Sequence, residues 1–146
     1  MYQAPDDPDC YPGTLVLNNL AGLRDQADWD VFEAASTLQR ADEPLPPGRL
    51  SFTHYRAIHR HLFQDVYPFA GKLRTVRLAK GGSAFCYPEH IKREADILFE
   101  TLRAKRGLQG LNTDDFALAA ADFLATLNAI HPFAKAMAAA KPCFSP

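Results

Sequence analysis

The chain has little of what would mark a specialised environment. Cysteine is scarce: Cys10, Cys86 and Cys143 stand far apart in 146 residues, with no Cys-x-x-Cys pair. That excludes a disulfide framework and gives no zinc-site spacing, so the three thiols read as inert. Neither sign of charge prevails, with 16 Lys and Arg against 17 Asp and Glu and a formal net charge of -1. The electrostatic case for binding nucleic acid or an anionic membrane is thereby removed. The most apolar run, 116–130, is interrupted by Asp122 and Asn128 and is too short to cross a bilayer. The start, Met1-Tyr2-Gln3-Ala4-Pro5-Asp6-Asp7-Pro8-Asp9, is acidic and lacks the basic and apolar blocks of a secretion signal, which makes the cytoplasm the expected location. There is no internal repeat. What is present, 47% hydrophobic and 23% charged residues, suits one folded domain with a core of its own.

The pattern is helical nearly throughout. Asp25 caps a first helix with Trp29, Phe32 and Ala35 at helical spacing, which should stop before Pro44. The segment 43–49, with Pro44, Pro46, Pro47 and Gly48, lacks the amide donors a helix needs and reads as a rigid connector. Ser51 then caps a helix whose apolar face is Tyr55, Ile58, Leu62 and Val66, ended by Pro68. Val76 and Leu78 alternate with Thr75 and Arg77, Lys80-Gly81-Gly82 supplies a turn, and Ala84-Phe85-Cys86 returns antiparallel. Pro88 opens a helix with Ile91, Ala95, Leu98 and Leu102 inward and Gly107 as its stop. Thr113, followed by Asp114 and Asp115, caps the last helix, whose stripe is Phe116, Ala120, Phe123, Leu127 and Ile130.

Several side chains suggest chemistry and do not carry it. His54, His59 and His61 could tempt as metal ligands, but a helix points positions two apart in different directions. Lys80-Gly81-Gly82 lacks the spacing and the Ser or Thr of a phosphate loop and reads as a hairpin turn. The mixed charges of 92–106 read as a solvated face. His131 alone would read as a helix-terminal histidine.

Two blocks change that last reading. Residues 58–71 run Ile-His-Arg-His-Leu-Phe-Gln-Asp-Val-Tyr-Pro-Phe-Ala-Gly, and 127–133 run Leu-Asn-Ala-Ile-His-Pro-Phe. Together they resemble the Fic family, over roughly residues 10–133. The resemblance implies a mainly α Fic-type domain, 1–133, with a short β-hairpin flap. It implies transfer of AMP from ATP to a hydroxyl side chain of a target protein. His131 would be the catalytic base, a task that suits an imidazole of ordinary pKa near 6.5, with Asn128, Pro132 and Phe133 as motif support. The flap, carried by Val76, Arg77, Leu78, Lys80, Gly81, Gly82 and Phe85, would align the target by strand addition. ATP and Mg²⁺ are the cofactors of an intact member. Short bacterial members resemble toxins, some acting on DNA topoisomerases and restrained by a small antitoxin bearing Ser/Thr-x-x-x-Glu. No Ser or Thr here has Glu four residues later, so any antitoxin would be a separate chain or a lost segment.

The family signature continues after His-Pro-Phe with a variable residue, Asp or Glu, then Gly-Asn-Gly-Arg. Here it is replaced by Ala134, Lys135, Ala136, Met137, Ala138 and Ala139. The acid that would hold magnesium becomes a lysine, the glycines that admit phosphate become alanines, and the arginine fork is gone. Lys135 and Lys141 can attract phosphate as point charges but cannot hold magnesium. Ala-Lys-Ala-Met-Ala-Ala can be encoded so that one added C regroups the bases as Arg-Glu-Gly-Asn-Gly-Arg. The Gly codon spanning Met137 and Ala138 is forced, and the others are allowed by degeneracy. The reading is therefore a scaffold, C-terminally truncated, whose residues 134–146 form an aberrant tail after loss of one base, with no metal ligands and no catalysis expected. A non-catalytic protein-binding module using the flap and outer helices is the alternative. A phosphotransferase of the Doc type comes after both, because the blocks before the signature look like the AMP-transferring branch.

Overall fold

The computed structural model describes residues 8–80 and 82–135. The readings placed on 1–7, on Gly81 and on 136–146, Cys143 and Lys141 among them, lie outside the described residues. Among the described residues, four α-helices and one hairpin make up the fold. Helix α1 spans Gln26–Ala41, and the Asp25 carboxylate accepts from the Asp28 amide at 3.1 Å, as its capping role requires. The helix ends at Ala41, ahead of the Pro44 connector.

Helix α2, Phe52–Phe63, starts at the expected Ser51 cap but stops well before Pro68. Its buried face also differs from the expected one. Phe52, His59 and Phe63 are buried, whereas Tyr55, Ile58 and Leu62 are only partly so. The reason is that α2 touches both α1 and α3, so the inward direction is set by two neighbours and not by one apolar stripe. Val66 and Tyr67, just past the helix, join the core, their amides both bonded to the Phe63 carbonyl at 3.0 Å.

The hairpin is shorter than the alternation suggested. Strands β1 (Ala79–Lys80) and β2 (Ser83–Ala84) pair antiparallel in the register Ala79 to Ala84 and Lys80 to Ser83. The Phe85 amide extends the ladder to the Leu78 carbonyl at 2.9 Å, and Val76 and Arg77 precede it outside any strand.

A 3₁₀ turn at Pro88–His90 leads into α3, Ile91–Ala104. Ile91 and Ala95 point inward as expected, but Phe99 takes the centre, and Leu98 and Leu102 are only partly buried. Helix α3 ends before Gly107, which sits at φ +62° within a second 3₁₀ turn, Arg106–Leu108. Helix α4, Thr113–Ile130, is capped by Asn112 and not by Thr113: Asn112 is extended and its side-chain oxygen accepts from the Asp115 amide at 2.8 Å. Asp114 and Asp115 do occupy the first turn. Of the expected stripe on α4, Leu127 and Ile130 are buried, Ala120 and Phe123 are partly buried and Phe116 is 49% exposed; outside the stripe, Leu118 and Leu124 are exposed too.

Two apolar clusters form the core. One gathers Val16, Leu17, Trp29, Phe63, Val66 and Tyr67, and the other gathers Phe52, Ile91, Ala95, Phe99, Leu127 and Ile130. A run of rings joins them: Phe99 to Tyr55 (5.4 Å between centroids), Tyr55 to Phe133 (5.6 Å), Phe133 to His59 (3.8 Å) and His59 to Phe63 (4.7 Å). Offset and tilted ring pairs of this kind add to simple burial. The ring that bridges the two clusters therefore belongs to the residue two positions after His131.

Candidate functional site

Helix α4 ends at Ile130, and His131 turns the chain out of it in the left-handed region, at φ 47° and ψ 67°. A side chain with a Cβ adopts that conformation at a cost of about 1–2 kcal/mol, so the surroundings must hold it there. They do so at several points. The His131 amide still bonds to the Leu127 carbonyl at 2.9 Å. Its imidazole, 5% exposed as a residue, stacks on Phe85 of the hairpin, centroids 4.4 Å apart and planes 14° apart. Its carbonyl accepts from Arg74 Nε at 2.6 Å.

Arg74 is a buried cation whose guanidinium, among the described residues, donates to backbone carbonyls. Besides His131, its guanidinium donates to Ile130 at 3.1 Å, to Val76 at 2.7 Å and to Cys86, and its own amide donates to the Pro132 carbonyl at 2.9 Å. Burial pulls its pKa below the ordinary arginine value. Burial also pushes the Cys86 thiol upward, which agrees with the reading of an inert cysteine.

Phe133 and Pro132 are buried, while Asn128 is exposed on α4. Behind Phe133, His59 is fully buried and spans two backbone groups: its Nδ1 accepts from the Gly71 amide at 2.9 Å, and its Nε2 donates to the Lys135 carbonyl at 2.8 Å. That pattern needs a neutral ring, and desolvation lowers its pKa to about 4. His59 is thus a structural tie and not a ligand. Gly71 is required where it stands, because φ is +75° and a Cβ would lie 2.8 Å from the Arg60 Cβ.

Lys135, the residue at the position of the expected acid, faces α1. Its Nζ lies 3.3 Å from Glu33 Oε1 and 5.4 Å from the centre of the Trp29 ring. Glu33 also accepts from the Tyr67 hydroxyl, and Trp29 Nε1 donates to that hydroxyl at 3.1 Å. Burial first, then the Glu33 charge, raises the Tyr67 pKa above that of an ordinary phenol. The expectation that Lys135 offers a point charge to phosphate is thereby revised, since its charge already has a carboxylate partner. Among the described residues no group of three His, Cys, Asp or Glu could hold a metal ion.

The structure brings His131, Pro132 and Phe133 together with Phe85 and, through Arg74, with the carbonyl of Val76. Leu78 is buried beneath the hairpin, and Gly82 lies exposed at its tip with φ +80°. Arg77 points away, its guanidinium 4.1 Å from the Tyr87 ring centre and 3.9 Å from Glu89. Sequence reasoning missed Arg74, Glu33 and His59 as parts of this site. His59 stands inside the 58–71 block and Arg74 three residues beyond it, whereas Glu33 has no motif near it.

A family model described as "Fic/DOC family" matches residues 49–136. Among curated relatives, a probable protein adenylyltransferase, y4lH, of Sinorhizobium fredii is 53% identical over 133 residues, covering 90% of this chain and 69% of the relative. The protein adenylyltransferase VbhT of Bartonella schoenbuchensis is 35% identical, covering 90% of this chain and 28% of the relative. The probable protein adenylyltransferase Fic of Escherichia coli is 33% identical, covering 87% and 64%. The chain thus spans from about a quarter to just over two thirds of these relatives. Among solved structures, BepC of Bartonella tribocorum with bound AMPPNP aligns at TM-score 0.74 and 27% identity, covering 87% of this chain and 69% of that one. The N-terminal Fic domain of a putative cell filamentation protein of Bartonella quintana, with bound ADP, aligns at TM-score 0.71 and 30% identity, covering 88% and 68%.

Proposed function

The chain belongs to the Fic/DOC family, and from that premise we propose that it is a protein adenylyltransferase scaffold which, in the form given, does not transfer AMP. One observation carries the second half of this reading: the side chain at the position of the magnesium-binding acid is an ammonium engaged with Glu33. ATP with magnesium would supply the AMP group and neutralise the departing pyrophosphate. The residues present do not fit that ion, because Lys135 has the wrong charge and the described residues converge on no other carboxylate set. His131 remains placed at the end of α4, where a neutral imidazole suits removal of a proton from a hydroxyl. The names of the relatives, protein adenylyltransferases, and the nucleotides in two solved neighbours support the family chemistry for an intact signature.

The substrate class of the scaffold is a protein with an accessible hydroxyl side chain in the cytoplasm, a DNA topoisomerase being the target that the resemblance favours. By the same resemblance, its restraint would come from a separate antitoxin chain or from an inhibitory segment lost from this one. Residues 1–133 form the Fic-like domain, and 134–146 are the altered tail. The test is incubation of the chain with labelled ATP, magnesium and a bacterial lysate. Loss of one donor to the developing charge costs about 10²- to 10³-fold, and this chain has lost several, so no band above a His131→Ala control is expected. A clear His131-dependent band overturns the reading.

A second reading, a protein-binding module, is favoured by the flap itself. The hairpin keeps its paired strands and its tie to α4 through the Cys86 amide and the Ala129 carbonyl at 3.0 Å. Partner capture without nucleotide supports it; magnesium-dependent ATP binding supports the enzyme.

A further inference from the structure

The last carbonyls of an α-helix have no partners within it and need donors from elsewhere. In α4 those donors come from the hairpin and the segment leading into it. The Cys86 amide serves Ala129, the Arg74 guanidinium serves Ile130 and His131, and the Arg74 amide serves Pro132. The same guanidinium also holds the Val76 and Cys86 carbonyls, one on each side of the hairpin. Arg74 is 3% exposed and binds residues up to 57 positions away. A planar guanidinium with five donors in fixed directions can serve four carbonyls at once, which a lysine cannot.

We infer that Arg74 is the positioning residue for His131, and that it makes the flap and the histidine one mechanical unit in which Phe85 sets the plane of the imidazole. This rests on the reading of His131 as the family's histidine. Phe85 then has two tasks: it belongs to the hairpin that would meet a target strand, and its ring covers the imidazole face at 4.4 Å. Displacement of the hairpin by a bound strand would reach His131 by both routes, through the ring contact and through the carbonyls shared on Arg74. The left-handed turn at His131 is held by the same contacts, so it should relax when they are removed.

The test reads the imidazole directly and does not need catalysis. In the chain labelled with ¹³C-histidine, two of the five histidines, His59 on Phe133 and His131 on Phe85, should show ring protons shifted upfield, and Phe85→Leu should abolish the shift of His131 alone. Arg74→Lys keeps the charge and loses the fork. It should melt cooperatively, yet its His131 signals should move most of the way to their Phe85→Leu positions. A folded Arg74→Lys chain with unchanged His131 signals overturns the proposal, as does an unmutated chain in which no shielded histidine loses its shift on Phe85→Leu. Hydrogen exchange of the unmutated chain decides the matter if Arg74→Lys does not fold. The amides of Arg74, Cys86 and His131 should then open as one unit with similar protection, and a spread of more than about tenfold between Cys86 and His131 overturns the coupling. Because no step of this test measures AMP transfer, an inactive chain with a shielded, Arg74-dependent histidine separates this inference from the proposed function.

Discussion

The ammonium of Lys135 lies 3.3 Å from the Glu33 carboxylate of α1. Both side chains are largely withdrawn from water, and the Trp29 ring and the Tyr67 hydroxyl complete the setting. The altered residue is therefore built into the packing of the first cluster and does not hang free beside the histidine.

Removing one partner from a sheltered ion pair leaves the other charge uncompensated, which is costlier than the net worth of the pair. Glu33→Gln should lower unfolding free energy by about 1–3 kcal/mol, and Lys135→Met by less, because Glu33 keeps its bond from Tyr67. Urea denaturation of both variants and of the double variant checks this. Additive losses would show that the two residues are not coupled.

His59 makes stability depend on pH in a defined direction. Its folded pKa, lowered to about 4 from an ordinary 6.5, means that the unfolded chain binds the extra proton first. The contribution is complete above the unfolded value and is lost as pH falls through the interval from about 6.5 to about 4, by roughly 3 kcal/mol in all. Denaturation midpoints measured across that interval should fall on acidification, and His59→Gln should flatten the slope. An equal slope in the variant would assign the effect to other groups.

Gly71→Ala should be among the more damaging small substitutions. The backbone there has positive φ, and the new methyl would meet the Arg60 Cβ at 2.8 Å and the Arg56 carbonyl at 3.1 Å. A loss of about 2–3 kcal/mol is expected from conformational strain together with the clash. Gly82→Ala, with positive φ but open space around it, should cost less. Thermal melts of the two variants rank them.

Adding one base after the Phe133 codon should restore both activity and stability if the tail arose by loss of that base. The restored signature supplies the acid, the glycines and the arginine. The resemblance expects a further helix after them, able to cover apolar side chains exposed on one face of α4, Leu124 among them. Burial of two or three such side chains is worth roughly 1.5–3 kcal/mol each. Resequencing of the gene, followed by melting and labelled-ATP assays of the restored chain, tests this. A restored chain that is neither more stable nor active counts against the frameshift and against the packing argument together.

The local features were legible in the chain because their causes are local. Asp25 and Ser51 cap helices whose orphan amides lie within three residues, the prolines of 43–49 stop a helix through their missing donors, and the chain pairs back on itself as a hairpin at Lys80 and Ser83. The Leu-Asn-Ala-Ile-His-Pro-Phe block likewise pointed to the family and to His131. The buried faces were not legible. Phe99 replaced Leu98 and Leu102, and His59 replaced Ile58 and Leu62, because burial depends on what packs opposite, and α2 has neighbours on two sides. The same holds for the site. Nothing near Arg74 in the chain says that it will cap a helix ending 56 residues later, and nothing near Glu33 says that it will receive Lys135. The sequence by itself pointed to the family and singled out His131 as the candidate base; only the tertiary structure, through contacts between segments far apart in the chain, decided what holds that residue in place.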